Sequence, residues 1–257
     1  MTFLAADIGN SKVSLGLFKG RRLLGMWKLE TRVNRTADEW AEVVSRLLGR
    51  RAKAVRASAI SSVVPSMTGP LRSALAAVIG GKLVVLDHRS PFGFLSAYRP
   101  PADAGVDRLA NAAAAIELCG YPVIAVDVGT AVTIDVVSCR GVYLGGCIFP
   151  GLRLAAETLA RGTASLPLET LEGPVRAVGG STSEGIRAGI VLGCAAQIDG
   201  LLERIFMELR ERPPVVVTGG SALAIVPHCR HARRFEPFLT LEGVRLAGTR
   251  TIKRGKR

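Results

Sequence analysis

The sequence contains one short pattern twice, with aspartates at positions 7 and 127. In each copy an apolar run ends in Asp, a β-branched residue, Gly and a small polar residue, and a second apolar run follows at once. The copies cover residues 4–18 and 124–137. Each copy predicts a β-hairpin whose turn carries an aspartate and a glycine. Two such hairpins in one chain predict two similar domains that face each other.

The residues around the two hairpins alternate between helical and strand-like patterns, which is typical of an α/β architecture. At 257 residues the chain is long enough for two domains, and we predict residues 1–119 as the first and residues 120–257 as the second. Periodicity and breaker residues predict helices over 37–49, 71–79, 107–119, 152–159 and 183–209, and strands over 54–64, 82–86, around 143 and over 215–217.

Composition argues against several classes of protein. No run of about 20 uncharged apolar residues is present, which argues against a membrane span, and the N-terminus lacks the basic segment of a signal peptide. The five cysteines are scattered and form no CxxC pair. This spacing predicts free thiols in a reducing compartment rather than a disulfide framework or a zinc site. We therefore expect a cytoplasmic protein.

The formal net charge of +13 raises the question of nucleic-acid binding. The basic residues are dispersed, except at 228–234 and in the tail at 253–257, and no aromatic side chains interleave with them to stack bases. We therefore do not expect nucleic acid as a partner. A basic surface that attracts anionic substrates accounts for the charge.

The two Asp-x-Gly turns suit phosphate chemistry. Glycine permits positive φ and has no Cβ, so backbone N–H groups can approach phosphate oxygens closely. A carboxylate beside a phosphate needs a bridging cation, usually Mg²⁺. Two such turns would hold a nucleoside triphosphate from both sides. The alternative for each is a plain turn, and Lys12 in the first is either a phosphate ligand or a solvated hairpin residue.

An ordered set of motifs resembles the type III pantothenate kinases from about residue 4 to residue 246. Each motif is common by itself, but the order is specific. The resemblance implies an α/β fold of two ribonuclease-H-like domains, as in the actin-like ATPase superfamily, with an ATP cleft between them. The motifs are Asp7-Ile8-Gly9-Asn10-Ser11, Tyr98-Arg99-Pro100-Pro101, Gly105-Val106-Asp107-Arg108, Asp127-Val128-Gly129-Thr130-Ala131, Gly145-Gly146-Cys147-Ile148-Phe149-Pro150-Gly151, Arg161-Gly162-Thr163-Ala164 with Leu166-Pro167, Ser181-Thr182 with Gly185-Ile186, and Thr218-Gly219-Gly220.

The same resemblance implies how the nucleotide and the cations are bound. Asp7 would hold Mg²⁺, and Thr130 in the second turn would contact ATP. Asp127 would lie at a monovalent-cation site for K⁺ or NH₄⁺. The first turn would bind the ATP phosphates through Asp7, Gly9, Asn10, Ser11 and Lys12.

The resemblance also implies a pantothenate site in which Asp107 is the general base. Arg108 suits the carboxylate of pantothenate, because a guanidinium can bind a planar carboxylate through two hydrogen bonds. Taken without the family, Asp107 is equally well explained as a helix N-cap. Val106 stands where the family usually has Ala and removes no functional group. The implied substrate contacts are Tyr98, Gly105, Val106, Asp107, Arg108 and Thr182.

The expected activity is ATP-dependent phosphorylation of pantothenate to 4'-phosphopantothenate, the first step of coenzyme A biosynthesis, by a homodimer. The alanine-rich helix at residues 109–116 could lie in the dimer interface or in the protomer core. Two other functions stay open. One is a different small-molecule kinase or phosphohydrolase on the same scaffold. The other is a non-catalytic regulator that binds a ligand or nucleic acid through its basic surface.

Overall fold

The computed structural model describes residues 1–255 and contains two compact units. The first unit holds Met1–Ala114 together with the chain from Phe238 onward, and the second holds Ala115–Pro237. The predicted domains, residues 1–119 and 120–257, stay a prediction. The ATP cleft between them also stays a prediction. Lys256 and Arg257, the end of the basic tail, lie outside the described residues.

The first unit is built on a five-stranded sheet in the order β3-β2-β1-β4-β5. Strand β2 is antiparallel to β1 and to β3, whereas β4 is parallel to β1 and to β5. A further short strand, β6, covers Leu95–Ser96. The five strands of the sheet are β1 (Thr2–Ile8), β2 (Lys12–Lys19), β3 (Arg22–Glu30), β4 (Val55–Ser62) and β5 (Lys82–Val85).

Helices α1 (Ala37–Leu48) and α2 (Pro65–Val78) contribute to the main core of the first unit. A capping box begins α1, in which the Thr36 hydroxyl accepts from the Glu39 N–H and the Glu39 side chain accepts from the Thr36 N–H. Alternate residues of β1 pack in this core, so the residues between them, Asp7 included, face the other side of the sheet.

Two further helices of the first unit are α3 (Val106–Cys119), which continues into the second unit, and α7 (Leu239–Arg254), which packs on β1 and β4. Helix α7 approaches its neighbours closely because it has glycines at the contacts. A Cβ at Gly243 would lie 1.9 Å from the carbonyl oxygen of Ala110 in α3. A Cβ at Gly248 would lie 2.4 Å from the Cβ of Ala59 in β4.

The second unit repeats the sheet of the first. Its five strands have the order β9-β8-β7-β10-β11, with three antiparallel strands followed by two parallel ones. The predicted internal repeat is therefore confirmed as a repeat of topology as well as of sequence. The strands are β7 (Val123–Val128), β8 (Ala131–Val137), β9 (Val142–Pro150), β10 (Val215–Thr218) and β11 (Arg234–Phe235).

The helices of the second unit are α4 (Leu152–Gly162), α5 (Thr182–Leu209) and the one-turn α6 (Ala222–Ile225). The 28-residue α5 packs its buried side chains on the apolar face of the sheet, where Val126 and Ile134 contribute to the core. The α/β fold class is confirmed. Short 3₁₀ helices occupy Gly49–Ala54, Pro101–Asp103 and Val226–His228.

The alanines of α3 settle one of the alternatives left open by the sequence. Ala110, Ala112, Ala113 and Ala114 are at most 1% exposed within the single chain. They therefore belong to the protomer core and are not available to a dimer interface.

The cysteines are free thiols, and two of them are core residues. Burial raises the pKa of Cys194 to about 11. Burial, together with the nearby Asp199 carboxylate, raises the pKa of Cys229 to about 12. Both thiols are therefore protonated near neutral pH and act as small apolar side chains. A separate observation is that no helix among residues 1–255 is long and apolar enough to cross a membrane.

Candidate functional site

The first Asp-x-Gly turn joins β1 to β2. Ile8 is paired with Val13, so residues 9–12 form the turn. The Gly9 N–H donates to the Lys12 carbonyl at 2.9 Å. Thr31 directly follows β3. Its hydroxyl donates to the Gly9 carbonyl at 2.7 Å, and its N–H donates to the Ser11 carbonyl at 3.1 Å. The turn is thus fixed by its own backbone and by Thr31, while Asn10 and Lys12 are exposed to solvent.

Asp7 is the next-to-last residue of β1, the middle strand of the sheet. In the pairing register its neighbours are Ser14 on β2 and Ser61 on β4. Residues paired across a sheet point to the same face, so the carboxylate lies between two serine positions. The carbonyl of the next residue, Ile8, accepts from the Val63 N–H at 3.0 Å. This bond ties the turn to the segment that follows β4.

The second Asp-x-Gly turn has the same surroundings. Asp127 is the next-to-last residue of β7 and is paired with Thr133 on β8 and Thr218 on β10. The Val128 carbonyl accepts from the Ser221 N–H at 3.0 Å, as the Ile8 carbonyl does from Val63. The second turn is one residue shorter, because Val128 is paired with Val132. Each aspartate therefore lies between two hydroxyl residues at the end of a central strand.

Glycines from two distant segments pack against the second turn. The Gly151 N–H donates to the Thr130 carbonyl at 3.0 Å, and a Cβ at Gly151 would lie 2.2 Å from the Gly129 carbonyl oxygen. Gly219 has φ of +107°, and a Cβ there would lie 2.5 Å from the backbone of Val128. In the sequence these glycines stand out only as parts of two family motifs. The structure gives them a packing role, because they let the chain pack closely behind the turn.

Residues of the predicted substrate site form a second cluster in the first unit. Arg108 is 5% exposed; its Nη1 donates to the Tyr98 hydroxyl at 3.3 Å, and its guanidinium carbon lies 5.4 Å from the Tyr98 ring centre. Tyr98 therefore holds the guanidinium through a hydrogen bond and a cation–π contact. A buried, oriented guanidinium of this kind is suited to an anionic group on a ligand.

Asp107 lies in the first turn of α3, and its Oδ1 accepts from the Arg108 N–H at 2.8 Å. The Gly105 carbonyl accepts from the Leu109 N–H at 3.1 Å, which makes Gly105 the N-cap residue. Asp107 is therefore not the N-cap residue itself, although its carboxylate does accept from a free N–H of the first turn. Gly105 also makes room for the carboxylate, because a Cβ there would lie 2.6 Å from Oδ1. Val106 begins the helix between them and is half-buried.

Thr182 is the first residue of α5 and is exposed. The hydroxyl of Ser181 caps this helix by accepting from the Glu184 N–H at 3.2 Å, and Glu184 Oε2 accepts from the Gly180 N–H at 2.7 Å. Thr182 belongs to the second unit, with Asp127 and Thr130, whereas the other predicted substrate contacts belong to the first.

The predicted residues thus form three clusters: the first turn with Asp7, the second turn with Asp127, and the group around Arg108. Thr182 belongs to none of the three. Their roles stay predictions. Sequence reasoning missed Thr31, which bonds the first turn, and Ser61, and it named Thr218 only within a motif and not as a neighbour of Asp127. Ser61 and Thr218 lie near the ends of predicted strands, which is the one signal that the sequence offers for them. No local pattern shows which strands pair, so their place beside the aspartates could not be predicted.

Both expected cations fit the residues that are present. Around Asp7 the neighbouring side chains supply hydroxyl oxygens, and the Ser61 hydroxyl is buried without a hydrogen-bond partner among residues 1–255. Around Asp127 the neighbours Thr133 and Thr218 also supply hydroxyls. Carboxylate and hydroxyl oxygens are hard ligands, which suit Mg²⁺ and K⁺ and not the soft or borderline transition metals.

Comparison with known proteins gives one family. The family model described as type III pantothenate kinase matches residues 3–204. A curated relative from Thermomicrobium roseum, named type III pantothenate kinase, is 39% identical over 247 residues, which cover 95% of this chain and 95% of that protein.

Solved structures share the fold at low sequence identity. A Campylobacter jejuni protein, described as a Baf family transcriptional activator, has a TM-score of 0.62 at 19% identity and covers 98% of each chain. The ROK hexokinase of Thermus thermophilus has a TM-score of 0.53 at 16% identity and covers 99% of this chain and 100% of its own. At these identities the likeness concerns the fold alone.

We predict that Gly219→Ala destabilises the second turn. A side chain at positive φ and an overlap with the Val128 backbone together cost at least about 2 kcal/mol. Amide hydrogen exchange at residues 128–130 should speed up, and the midpoint of thermal unfolding should fall. Gly220→Ala is the matched control, since a Cβ there meets nothing within 4 Å. Equal effects of the two substitutions would contradict the supporting role of Gly219.

Proposed function

Because the chain belongs to the type III pantothenate kinase family, we propose that it transfers the γ-phosphoryl group of ATP to pantothenate. The product is 4'-phosphopantothenate, and the reaction is the first step of coenzyme A biosynthesis. The observation that carries this proposal is the family match over nearly the whole chain. The repeated Asp-x-Gly turns and the Asp107–Arg108 cluster support it independently, since they supply chemistry for a phosphate and for an anionic acceptor.

In this proposal the first turn binds the ATP phosphates. Gly9 allows the backbone to approach the phosphate oxygens, and the exposed side chains of Asn10 and Lys12 are free to turn toward them, with Ser11 between. Asp7 holds Mg²⁺, which supplies neutralisation of the phosphate charge as the phosphoryl group transfers. Thr31 keeps the turn in place before the nucleotide arrives, because it donates hydrogen bonds to the Gly9 and Ser11 carbonyls.

The acceptor is bound by the Tyr98–Arg108 pair. Pantothenate carries a carboxylate, and the guanidinium of Arg108 can bind it through two parallel hydrogen bonds. Because Arg108 is buried and already oriented by Tyr98, little conformational entropy is lost on binding. Gly105 and Val106 complete this part of the site, and Thr182 is the contact proposed for the second unit.

Asp107 is the proposed general base, which takes the proton of the acceptor hydroxyl as the new P–O bond forms. The Arg108 N–H fixes the orientation of its carboxylate, at 2.8 Å from Oδ1. The proposed base and the proposed carboxylate-binding side chain therefore come from adjacent residues at the start of one helix. Phosphoryl transfer depends mostly on positioning and on charge neutralisation, so loss of Asp7 should reduce the rate at least as much as loss of Asp107.

The proposal includes a monovalent cation, K⁺ or NH₄⁺, at Asp127, with Thr130 contacting ATP. The hydroxyl residues on both sides of Asp127 support the cation, because K⁺ prefers oxygen ligands. The homodimer and the cytoplasmic location are parts of the same proposal. They rest on the family resemblance and on the absence of a span or a disulfide pattern in the sequence.

The direct test is ADP release by the purified protein with Mg²⁺ and K⁺, with and without pantothenate. We expect release that depends on pantothenate. ADP release without any acceptor would indicate a phosphohydrolase, and release with another hydroxyl compound alone would indicate a different small-molecule kinase. Salt-dependent DNA binding with no turnover would favour the non-catalytic regulator instead.

We predict that Asp107→Asn lowers kcat by about 10²–10⁴-fold, because the amide cannot accept the hydroxyl proton. The affinity for ATP should stay within about twofold of the unmodified protein, since Asp107 is not part of the nucleotide turn. Asp103→Asn is the control, because Asp103 is an exposed carboxylate just before the same helix. Near-normal turnover of Asp107→Asn would remove Asp107 from the mechanism.

A further inference from the structure

We propose that Ser61 is a positioning residue of the Mg²⁺ site and that its hydroxyl hydrogen-bonds a water ligand of the ion held by Asp7. The proposal rests on the proposed function, because it assumes that Asp7 binds Mg²⁺ with the nucleotide. It assigns a role to a residue outside the Asp-x-Gly turn.

The first observation is the burial of the Ser61 hydroxyl. Ser61 is 0% exposed, and its Oγ has no hydrogen-bond partner among the residues that the structure describes. A buried hydroxyl without a partner costs free energy, so native proteins nearly always supply one from the chain, from water or from a ligand. The Ser61 hydroxyl is therefore available to a water or a ligand from outside the chain.

The second observation is its place in the sheet. Ser61 is paired with Asp7 in the parallel register of β4 and β1. Adjacent strands lie about 4.8 Å apart, and paired residues point to the same face. The Ser61 hydroxyl is therefore beside the carboxylate, at the carboxyl end of two parallel strands. This is the edge at which open α/β sheets bind ligands.

The third observation comes from the internal repeat. Thr218 occupies the equivalent position beside Asp127, and it is 2% exposed. Both units thus place a buried hydroxyl residue next to the aspartate that precedes the turn. A buried hydroxyl by itself does not mark a site, but its recurrence beside the aspartate in both units points to the aspartate's function.

The chemistry favours a water on the metal over a direct bond. Mg²⁺ requires octahedral coordination by oxygen and gives up its waters reluctantly, so it commonly keeps several of them when one carboxylate and the substrate phosphates bind it. Such waters are strong hydrogen-bond donors. A serine hydroxyl oxygen can accept a hydrogen bond from one of them. Ser61 would thus fix the water shell on the side of Asp7 that faces β4.

Ser58 provides a matched control within the same strand. It is also 0% exposed and also lacks a hydrogen-bond partner within residues 1–255. Its register partner, however, is the core residue Leu4. Ser58 lies three residues before Ser61, about 10 Å along the strand, and therefore faces the opposite side of the sheet. A merely structural effect of losing a buried serine hydroxyl should appear in both variants.

The experiment measures metal affinity rather than turnover. Mn²⁺ is titrated into protein saturated with a non-hydrolysable ATP analogue, and bound Mn²⁺ is followed by electron paramagnetic resonance; Mg²⁺ is then measured by competition. We expect Ser61→Ala to weaken the affinity for both ions by about tenfold, the loss of one hydrogen bond to a charged group. Ser58→Ala should change it by less than about twofold.

Two more variants separate the hydroxyl from the packing. Ser61→Cys keeps the side-chain size, but its sulfur is only a weak hydrogen-bond acceptor, so its metal affinity should fall as in Ser61→Ala. Ser61→Thr, the residue found at the equivalent position 218, should keep affinity close to that of the unmodified protein. Metal-free thermal unfolding of Ser61→Ala should be unchanged or slightly raised, because a buried hydroxyl without a partner has been removed.

Unchanged metal affinity in both Ser61→Ala and Ser61→Cys would overturn the proposal, and so would an equal loss in Ser58→Ala. These measurements contain no pantothenate, so an error in the acceptor assignment leaves them unaffected. Failure of the unmodified protein to bind the metal–nucleotide complex at all would overturn both this proposal and the proposed function. Metal binding without pantothenate-dependent turnover would overturn the function alone.

Discussion

The pairing of the central strand in each sheet is the constraint on which the remaining features depend. Strands β1 and β7 are each bordered by an antiparallel hairpin partner on one side and a parallel strand on the other. Their middle residues are buried, and the hydrogen-bonding of the strand ends brings one aspartate to the edge of the sheet. There the register fixes the neighbours of Asp7 as Ser14 and Ser61, and those of Asp127 as Thr133 and Thr218. A shift by one residue would turn each carboxylate into the apolar core, so the register that buries the core also positions the candidate metal ligands.

Much of this arrangement could be predicted from sequence, because it is encoded locally. The two hairpins follow from apolar runs interrupted by Asp and Gly, and α3 and α5 follow from helical periodicity. Pairing between parallel strands is not local, so Ser61 and Thr218 could not be recognised as neighbours of the aspartates. The start of α2 was also missed, because Pro65 suggested an end to structure, although proline is well tolerated in the first helical turn. Strand β3 and helix α7 were not predicted either; the glycines that lower the helical propensity of α7 are the ones that allow its close packing.

Glycine was the most ambiguous signal in the sequence, and the structure separates its uses. Gly9 belongs to the turn proposed to face phosphate. Gly151 and Gly219 instead leave space for the backbone of the second turn to be packed from behind. Gly105 has a third use, since it caps α3 and leaves room for the Asp107 carboxylate. A glycine-rich motif can therefore mark the surroundings of a site as well as its contacts, and the positions of neighbouring atoms distinguish the two.

The central claim of this account is that the carboxylate of Asp7 anchors the metal through which ATP is bound. The most direct test is calorimetric titration of a non-hydrolysable ATP analogue into the unmodified protein and into Asp7→Asn, each with and without Mg²⁺. We predict that Mg²⁺ tightens nucleotide binding to the unmodified protein and has little effect on the variant. An Asp7→Asn protein whose nucleotide affinity still rises with Mg²⁺ as in the unmodified chain would contradict the claim.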